Sequence, residues 1–307
     1  MSTLTDSRRS GNPFKKTRKL RSDGPWAALM LAPNLLGFTL FMLGPVVMTL
    51  VMSFTKNDLI DPMTFVGLDN YIKMAKDPIV HETLKNTLLY TLMVVPVGMV
   101  ISLLLAVLLD QNIFGKRFYR AAYFLPSITS MVAVAVVWQW IYNPEFGILN
   151  YVLSWFHIPP QKWLSSSDSS LVSIAIMGIW KNAGYNMMLF LSGLQSISTS
   201  YYEASELDGA SKLQQFIYVT VPMLQPTTMF VFITSIINSF QVFDAVKLTT
   251  DGGPGRSSSV LVHYLYQSAF QYFDMGYACA IAYLLFGIVL ILTIINLNID
   301  KKSREIY

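Results

Sequence analysis

Charge is scarce in this chain. Charged residues make up 13% of its 307 positions, against about a quarter in an ordinary soluble domain. Apolar residues reach 53% and mean hydropathy is +0.46. These values exclude a single aqueous core and place the chain in the membrane class. Cysteine is nearly absent: the lone Cys279 excludes an intrachain disulfide and any cysteine-cluster metal site. His81, His157 and His263 lie far apart and match no metal-ligand spacing. No stretch has the G-x-x-x-x-G-K-[ST] spacing of a phosphate loop, and Gly252-Gly253-Pro254-Gly255-Arg256-Ser257 reads instead as an external turn. The chain is therefore not expected to hydrolyse ATP, to bind a cofactor or to act as an enzyme. No Ser/His/Asp set or carboxylate pair stands at diagnostic spacing. The net charge of +4 and pI near 9.0 come from basic residues beside apolar runs, which argues against a nucleic-acid partner.

What the chain has in abundance is long apolar segments. A spanning helix needs about 20 apolar residues. Six such stretches occur, near 28–54, 86–109, 121–141, 171–195, 223–246 and 276–298. The first is too long for a signal-peptide core and is expected to bend or break at Pro33 or Pro45. Trp138, Trp140 and Tyr142 suit a membrane interface at the end of the third. Residues 67–71 predict a turn into a short amphipathic helix, and Tyr264–Phe273 predicts another. The expected organisation is a basic tail over 1–25, a transmembrane domain over 26–300 and a short tail over 301–307.

Six spans put both termini on one side. Lys and Arg number fourteen in the two tails, the 110–120 loop and the 200–226 loop, and seven in the other three loops. The excess predicts a multi-pass protein of the cell membrane with both termini and the 200–226 loop in the cytoplasm.

That loop is polar and helix-forming between two apolar runs. Ser200-x-x-Glu203 and Ser211-x-x-Gln214 both have the spacing of a capping box, in which the serine oxygen accepts a backbone N–H and the acidic or amide side chain reaches back. Gly209 follows Asp208 and can adopt the left-handed conformation that ends a helix. Two short helices joined at a tight corner are expected, with Pro222 and Pro226 opening the next span.

Polar residues inside spans are costly in hydrocarbon and should face the bundle interior or water. The fourth span carries Lys181, Asn182, Tyr185 and Asn186; the two asparagines are four apart and share a helix face. The fifth carries Ser235, Asn238, Ser239, Gln241 and Asp244. Two readings stay open for these groups: an amide- and aromatic-lined passage suited to sugar hydroxyls and rings, or interhelical hydrogen bonds that hold the bundle together. For Lys181 the alternatives are a functional cation or a side chain reaching toward an interface.

Glu203-Ala204-Ser205, Asp208-Gly209-Ala210, Phe216, Val221-Pro222 and Pro226 resemble the EAA loop of permease subunits of bacterial ABC importers. Ser205 and Val221 are mild departures from that pattern. Phe65-Val66-Gly67-Leu68-Asp69-Asn70-Tyr71, Phe124-Leu125-Pro126 and Leu248-Thr249-Thr250-Asp251-Gly252-Gly253-Pro254 look like the maltose and glycerol-3-phosphate branch of carbohydrate importers. The resemblance runs from the first span to the sixth. It implies an all-α type I ABC importer permease fold with six transmembrane helices and a cytoplasmic coupling helix. It also implies that Glu203, Ala204, Ser205, Leu207, Asp208, Gly209 and Ala210 meet an ATPase subunit. Glu203 would be the polar contact, Gly209 would set the corner, and Ala204 and Leu207 would fill the cleft or brace the spans. ATP and magnesium would sit on that subunit. The implied partners are two ATPase subunits, a second, non-identical permease subunit, an extracytoplasmic substrate-binding protein and a sugar, all in a lipid bilayer. Glycerol 3-phosphate is an alternative solute, and a secondary transporter or channel uncoupled from ATP is an alternative class.

Overall fold

The computed structural model describes residues 24–58 and 60–304. Most of the basic N-terminal tail and the end of the C-terminal tail lie outside those residues. The chain divides into two compact units, one through Thr49 and one from Leu50.

The first unit is one long apolar run. Helix α1 (Gly24–Phe38) passes through a π-helical turn at Thr39–Leu43 into α2 (Gly44–Ser53). Pro33 lies inside α1 without interrupting it. The widening occurs where the Gly44 N–H bonds the Thr39 carbonyl, one residue before Pro45. Proline has no N–H and its ring crowds the carbonyl four residues back, so the ladder opens there. The same device recurs at Phe216–Thr220, where the Val221 N–H bonds the Phe216 carbonyl just before Pro222.

The second unit begins with a hairpin of two-residue strands, β1 (Thr55–Lys56) and β2 (Thr64–Phe65), the described exception to an otherwise helical chain. Gly67 turns the chain at φ +57° into α3 (Asp69–Lys76). Helix α4 (Pro78–Asp110) starts at Pro78 rather than 86, because Asp77 caps it by accepting the Ile79 N–H at 2.8 Å. Next come α5 (Lys116–Ile128), α6 (Met131–Ile141), α7 (Ile148–Trp155) and α8 (Ser170–Ser196). Helices α9 (Thr199–Leu207), α10 (Lys212–Gln215) and α11 (Val221–Met223) form the polar loop and its exit. The chain ends with α12 (Gln225–Phe240), α13 (Asp244–Thr249), α14 (Leu261–Phe270) and α15 (Met275–Arg304).

The expected spans map onto these helices with three corrections. The third is not one straight helix: α5 and α6 meet at a 100° elbow. Pro126 cannot donate to the carbonyl four residues back, and the hydroxyls of Ser127 and Thr129 bond back to the Phe124 and Leu125 carbonyls. The fifth span stops at Phe240, short of the expected 246, and begins with a 64° bend at Leu224. Its apolar pattern continues through Val242, Ala245 and Val246 because those residues pack in the core, so hydropathy hides the stop. Trp138 and Tyr142 do not face an interface; both are buried, and the Tyr142 hydroxyl donates to the Ser173 carbonyl at 2.8 Å.

Among the described residues, three single helices are long and apolar enough to cross a bilayer, and the number rises to five if each bent pair is one span. Helix α8, with 27 residues, is long enough at about 1.5 Å each. It falls short in apolarity because Lys181, Asn182 and Asn186 interrupt its middle. The reason for that interruption is visible in the packing. Ile174 and Met177 of α8 sit in one core cluster with Tyr90, Trp138 and Val246. Met187, Phe190 and Leu194 sit in a second with Ala106, Leu109, Leu224 and Val231. The polar middle lies between them. The helix packs closely on α5 at Gly184, where a Cβ would meet the Tyr123 carbonyl oxygen at 1.8 Å.

A cap covers one end of the second unit. Asn70 donates to the Ser53 and Thr55 carbonyls, both at 2.9 Å. Asp77 accepts from the hydroxyls of Tyr264 and Tyr277, at 2.7 and 2.6 Å. The glycine-rich stretch after α13 is bolted down, since Asn86 of α4 donates to the Arg256 and Ser259 carbonyls at 3.1 and 2.9 Å.

Candidate functional site

Between the two core clusters of α8 lies a cavity of about 280 Å³, at the small end of ligand sites, which run from about 300 to 1,000 Å³. Every residue read from the sequence as facing a passage lines it. Helix α8 contributes Asn182, Tyr185 and Asn186, and α12 contributes Ser235 and Asn238. Gln241, the C-cap of α12, and Asp244, the first residue of α13, close one side. The break after Phe240 thus turns Gln241 and Asp244 toward a space that a continuous helix would have passed by. Tyr90, Val94 and Gly98 of α4 and Met131 of α6 complete much of the wall, and sequence reasoning missed all four because each looks like ordinary span packing.

The polar groups differ in what they still have to offer. Asn186 is buried and reaches the Ser235 hydroxyl at 3.4 Å, so it joins α8 to α12. Asn182 bonds only the Gly178 carbonyl of its own helix, at 3.0 Å. Asn182, Tyr185, Asn238, Gln241 and Asp244 are exposed to the cavity. Ser239 is glue: its hydroxyl meets Thr91 of α4 at 3.0 Å. Lys181 faces the elbow of the third span, 2.7 Å from the Thr129 carbonyl and 3.2 Å from that of Pro126. It supplies the donors that the broken helix lacks, which apolar surroundings demand.

The polar loop forms a compact corner. Helix α9 starts from Ser198, whose hydroxyl accepts the Ser200 N–H. The expected capping box at Ser200 and Glu203 does not form, because the helix already includes Thr199 and Ser200 and so leaves no free end for them to cap. The second box forms as expected: Ser211 N–H donates to Gln214 Oε1 at 2.7 Å, and Gln214 N–H donates back to Ser211. Gly209 sits at φ +79°. The Gly209 N–H bonds the Glu206 carbonyl at 3.0 Å and the Ala210 N–H bonds that of Ser205 at 2.9 Å, the paired bonds of a Schellman helix end.

The corner is locked by residues that carried no sequence signal. Buried Gln215 donates to the Ser205 hydroxyl at 3.0 Å, and Ser205 donates to the Tyr202 carbonyl at 2.8 Å. Tyr202 and Thr220 share a hydrogen bond of 3.0 Å. Lys212 pairs with Glu206, whose carboxyl is held below its usual range first by that hydrogen bond. Ser205 thus has a definite task here, and Ala210 is half-buried beside it. Glu203, Ala204, Leu207 and Asp208 point outward on one helix face, and Leu207 is 91% exposed. Ala204 and Leu207 do not brace this chain's own spans.

Folding also assembles a Ser/His/Asp set that spacing did not reveal. His263 Nδ1 lies 3.0 Å from Ser259 and its Nε2 lies 3.0 Å from Asp251. His263 and Ser259 are buried, so the set ties the glycine-rich stretch after α13 to α14.

Comparison with known proteins agrees with this architecture. The arabinooligosaccharides transport system permease protein AraP of Bacillus subtilis is 32% identical over 279 residues, covering 90% of this chain and 88% of the relative. The lactose transport system permease protein LacF of Rhizobium radiobacter is 31% identical over 283 residues, covering 90% and 94%. A chain of the bacterial alginate ABC transporter, solved in complex with an alginate pentasaccharide-bound periplasmic protein, superposes with a TM-score of 0.79 at 22% identity, covering 91% of this chain and 95% of that one. The fold is that of the type I importer permeases. Residues 86–305 match one family over its characteristic region. The chain belongs to the binding-protein-dependent transport system inner membrane components.

Proposed function

We propose that this chain is one transmembrane half of an ABC importer for a di- or oligosaccharide, delivered by an external binding protein and driven by separate ATPase subunits. The observation that carries the reading is the cavity. Five polar side chains there keep hydrogen-bonding capacity free in the middle of an apolar bundle. Sugar hydroxyls need neutral donors and acceptors, and the Tyr185 ring offers a stacking face. The names of AraP and LacF support the sugar class.

The corner at Gly209 is the proposed contact with the motor. Its internal polar groups are satisfied by each other, while Glu203, Ala204, Leu207 and Asp208 stay available outside. A stiff knob of this kind can transmit closure of an ATPase pair as rocking of packed helices. One chain carries one knob, so an ATPase pair calls for a second permease chain; the resemblance to the sugar-transport branch makes it a non-identical subunit. ATP and magnesium belong to the ATPase subunits. The knob and both termini face the cytoplasm. A cysteine at Leu207 is then labelled from inside and one at Ser167 from outside.

The test is coupling. Gly209→Pro and Glu203→Lys should leave the protein in the membrane and abolish uptake while the ATPase continues to turn over. Normal uptake in both variants would overturn the docking reading.

A further inference from the structure

The cavity wall carries two charges of opposite sign, Lys181 on α8 and Asp244 at the start of α13. They are not equally available. An ammonium has three N–H donors. Lys181 Nζ lies 2.7 Å from the Thr129 carbonyl, 3.2 Å from that of Pro126 and 3.5 Å from that of Ser127. These carbonyls lie at the C-terminal end of α5 and just beyond it, where unpaired helix acceptors and the negative end of the dipole collect. Three donors meet three acceptors, so the cation is committed to the chain's own backbone. Asp244 stands differently. It is exposed, and among the described residues it makes no ion pair. The remaining wall is neutral amide, hydroxyl and apolar surface.

An anion entering this space would face a carboxylate and find no free cation. Low-dielectric walls strengthen that repulsion. We propose that this chain's half of the cavity excludes anionic solutes and admits neutral polyhydroxyl ones, with Asp244 as the discriminating residue and Lys181 serving the elbow. The proposal rests on the cavity being the solute path.

The test reads the local field without needing the solute. In the assembled transporter carrying Cys279→Ala, Asn238→Cys is reacted with a cationic and an anionic methanethiosulfonate, the trimethylammonioethyl and sulfonatoethyl reagents. Each rate is divided by the rate of the same reagent on free mercaptoethanol. The cationic reagent should be favoured about tenfold. Asp244→Asn should remove that preference, and Lys181→Met, which takes away a cation already facing carbonyl dipoles, should change it less than Asp244→Asn does. Equal normalised rates, or a preference that survives Asp244→Asn, would overturn the proposal. So would a change on Lys181→Met larger than the change on Asp244→Asn, the sign that Lys181 and not Asp244 sets the field. The first two comparisons do not require the Lys181 variant to fold. Slowing of both reagents by a transported sugar reports on the path itself, separately from their ratio.

Discussion

The cap and the cavity use the same residue type in opposite ways. Asn70 and Asn86 in the cap each donate to two backbone carbonyls. Asn150, within α7, donates to the Pro144 and Gln161 carbonyls and accepts from the Trp163 indole and the Gln161 N–H. All three are at most 8% exposed. Asn238 and Gln241 in the cavity are exposed, and Asn182 bonds only its own helix. Glue and site are therefore told apart by whether the donors are already consumed, not by residue type or depth in the bundle. Asn186 stands between the two classes, buried with one long bond to Ser235.

Each class predicts a different failure. Asn86→Leu strands one buried and one partly buried carbonyl, and an unsatisfied buried group costs about 1–3 kcal/mol. Thermal unfolding in detergent should show a loss of about 2–4 kcal/mol; an unchanged melting temperature would erase the distinction. Asn238→Leu and Gln241→Leu should do the reverse. Uptake should fall about tenfold, the equivalent of one good hydrogen bond near 1.4 kcal/mol, while the melting temperature stays put. A destabilised but fully active variant would move these residues into the glue class. Asn186→Leu should show both effects weakly, with a stability loss below about 1 kcal/mol for its single long bond.

The smallest effect concerns pH. Burial pushes the Asp77 carboxyl up, but hydrogen bonds from Tyr277, Tyr264 and the Ile79 N–H outweigh it and hold the group below its usual value. A depressed carboxylate contributes stability above its unfolded pKa of about 3.9 and loses it as pH falls through the folded value. Protection of residues 261–277 against hydrogen exchange, relative to the intrinsic rate at each pH, should stay constant above about pH 5 and fall only below about pH 4. A loss of protection that already begins near neutrality would assign the cap's sensitivity to another group.

Much of this division was legible in the sequence, and the illegible part has a common cause. Helix α8 and the corner at Gly209 follow from local signals, namely apolar length, a capping box and a glycine free to take positive φ. The seven cavity residues were legible as polar groups in expensive places. Their use was not, because the groups that satisfy or fail to satisfy them come from elsewhere in the chain. The Asn86 acceptors lie about 170 residues away, and the carbonyls that take up Lys181 exist only because α5 breaks at Pro126. The end of α12 was hidden because Ala245 and Val246 are as apolar as a span while packing in the core. Gln215 looks like an ordinary loop residue, and Ser205 like a mild departure from a motif, until the two helices fold against each other and lock the corner through them.

The central claim is that the free amides of the cavity meet the solute. The rate at which a neutral thiol reagent modifies Gln241→Cys in the assembled, energised transporter tests it directly. The account predicts that a transported oligosaccharide slows modification severalfold, at solute concentrations that match those of uptake. Modification at an unaltered rate while the same preparation is importing that sugar would contradict it.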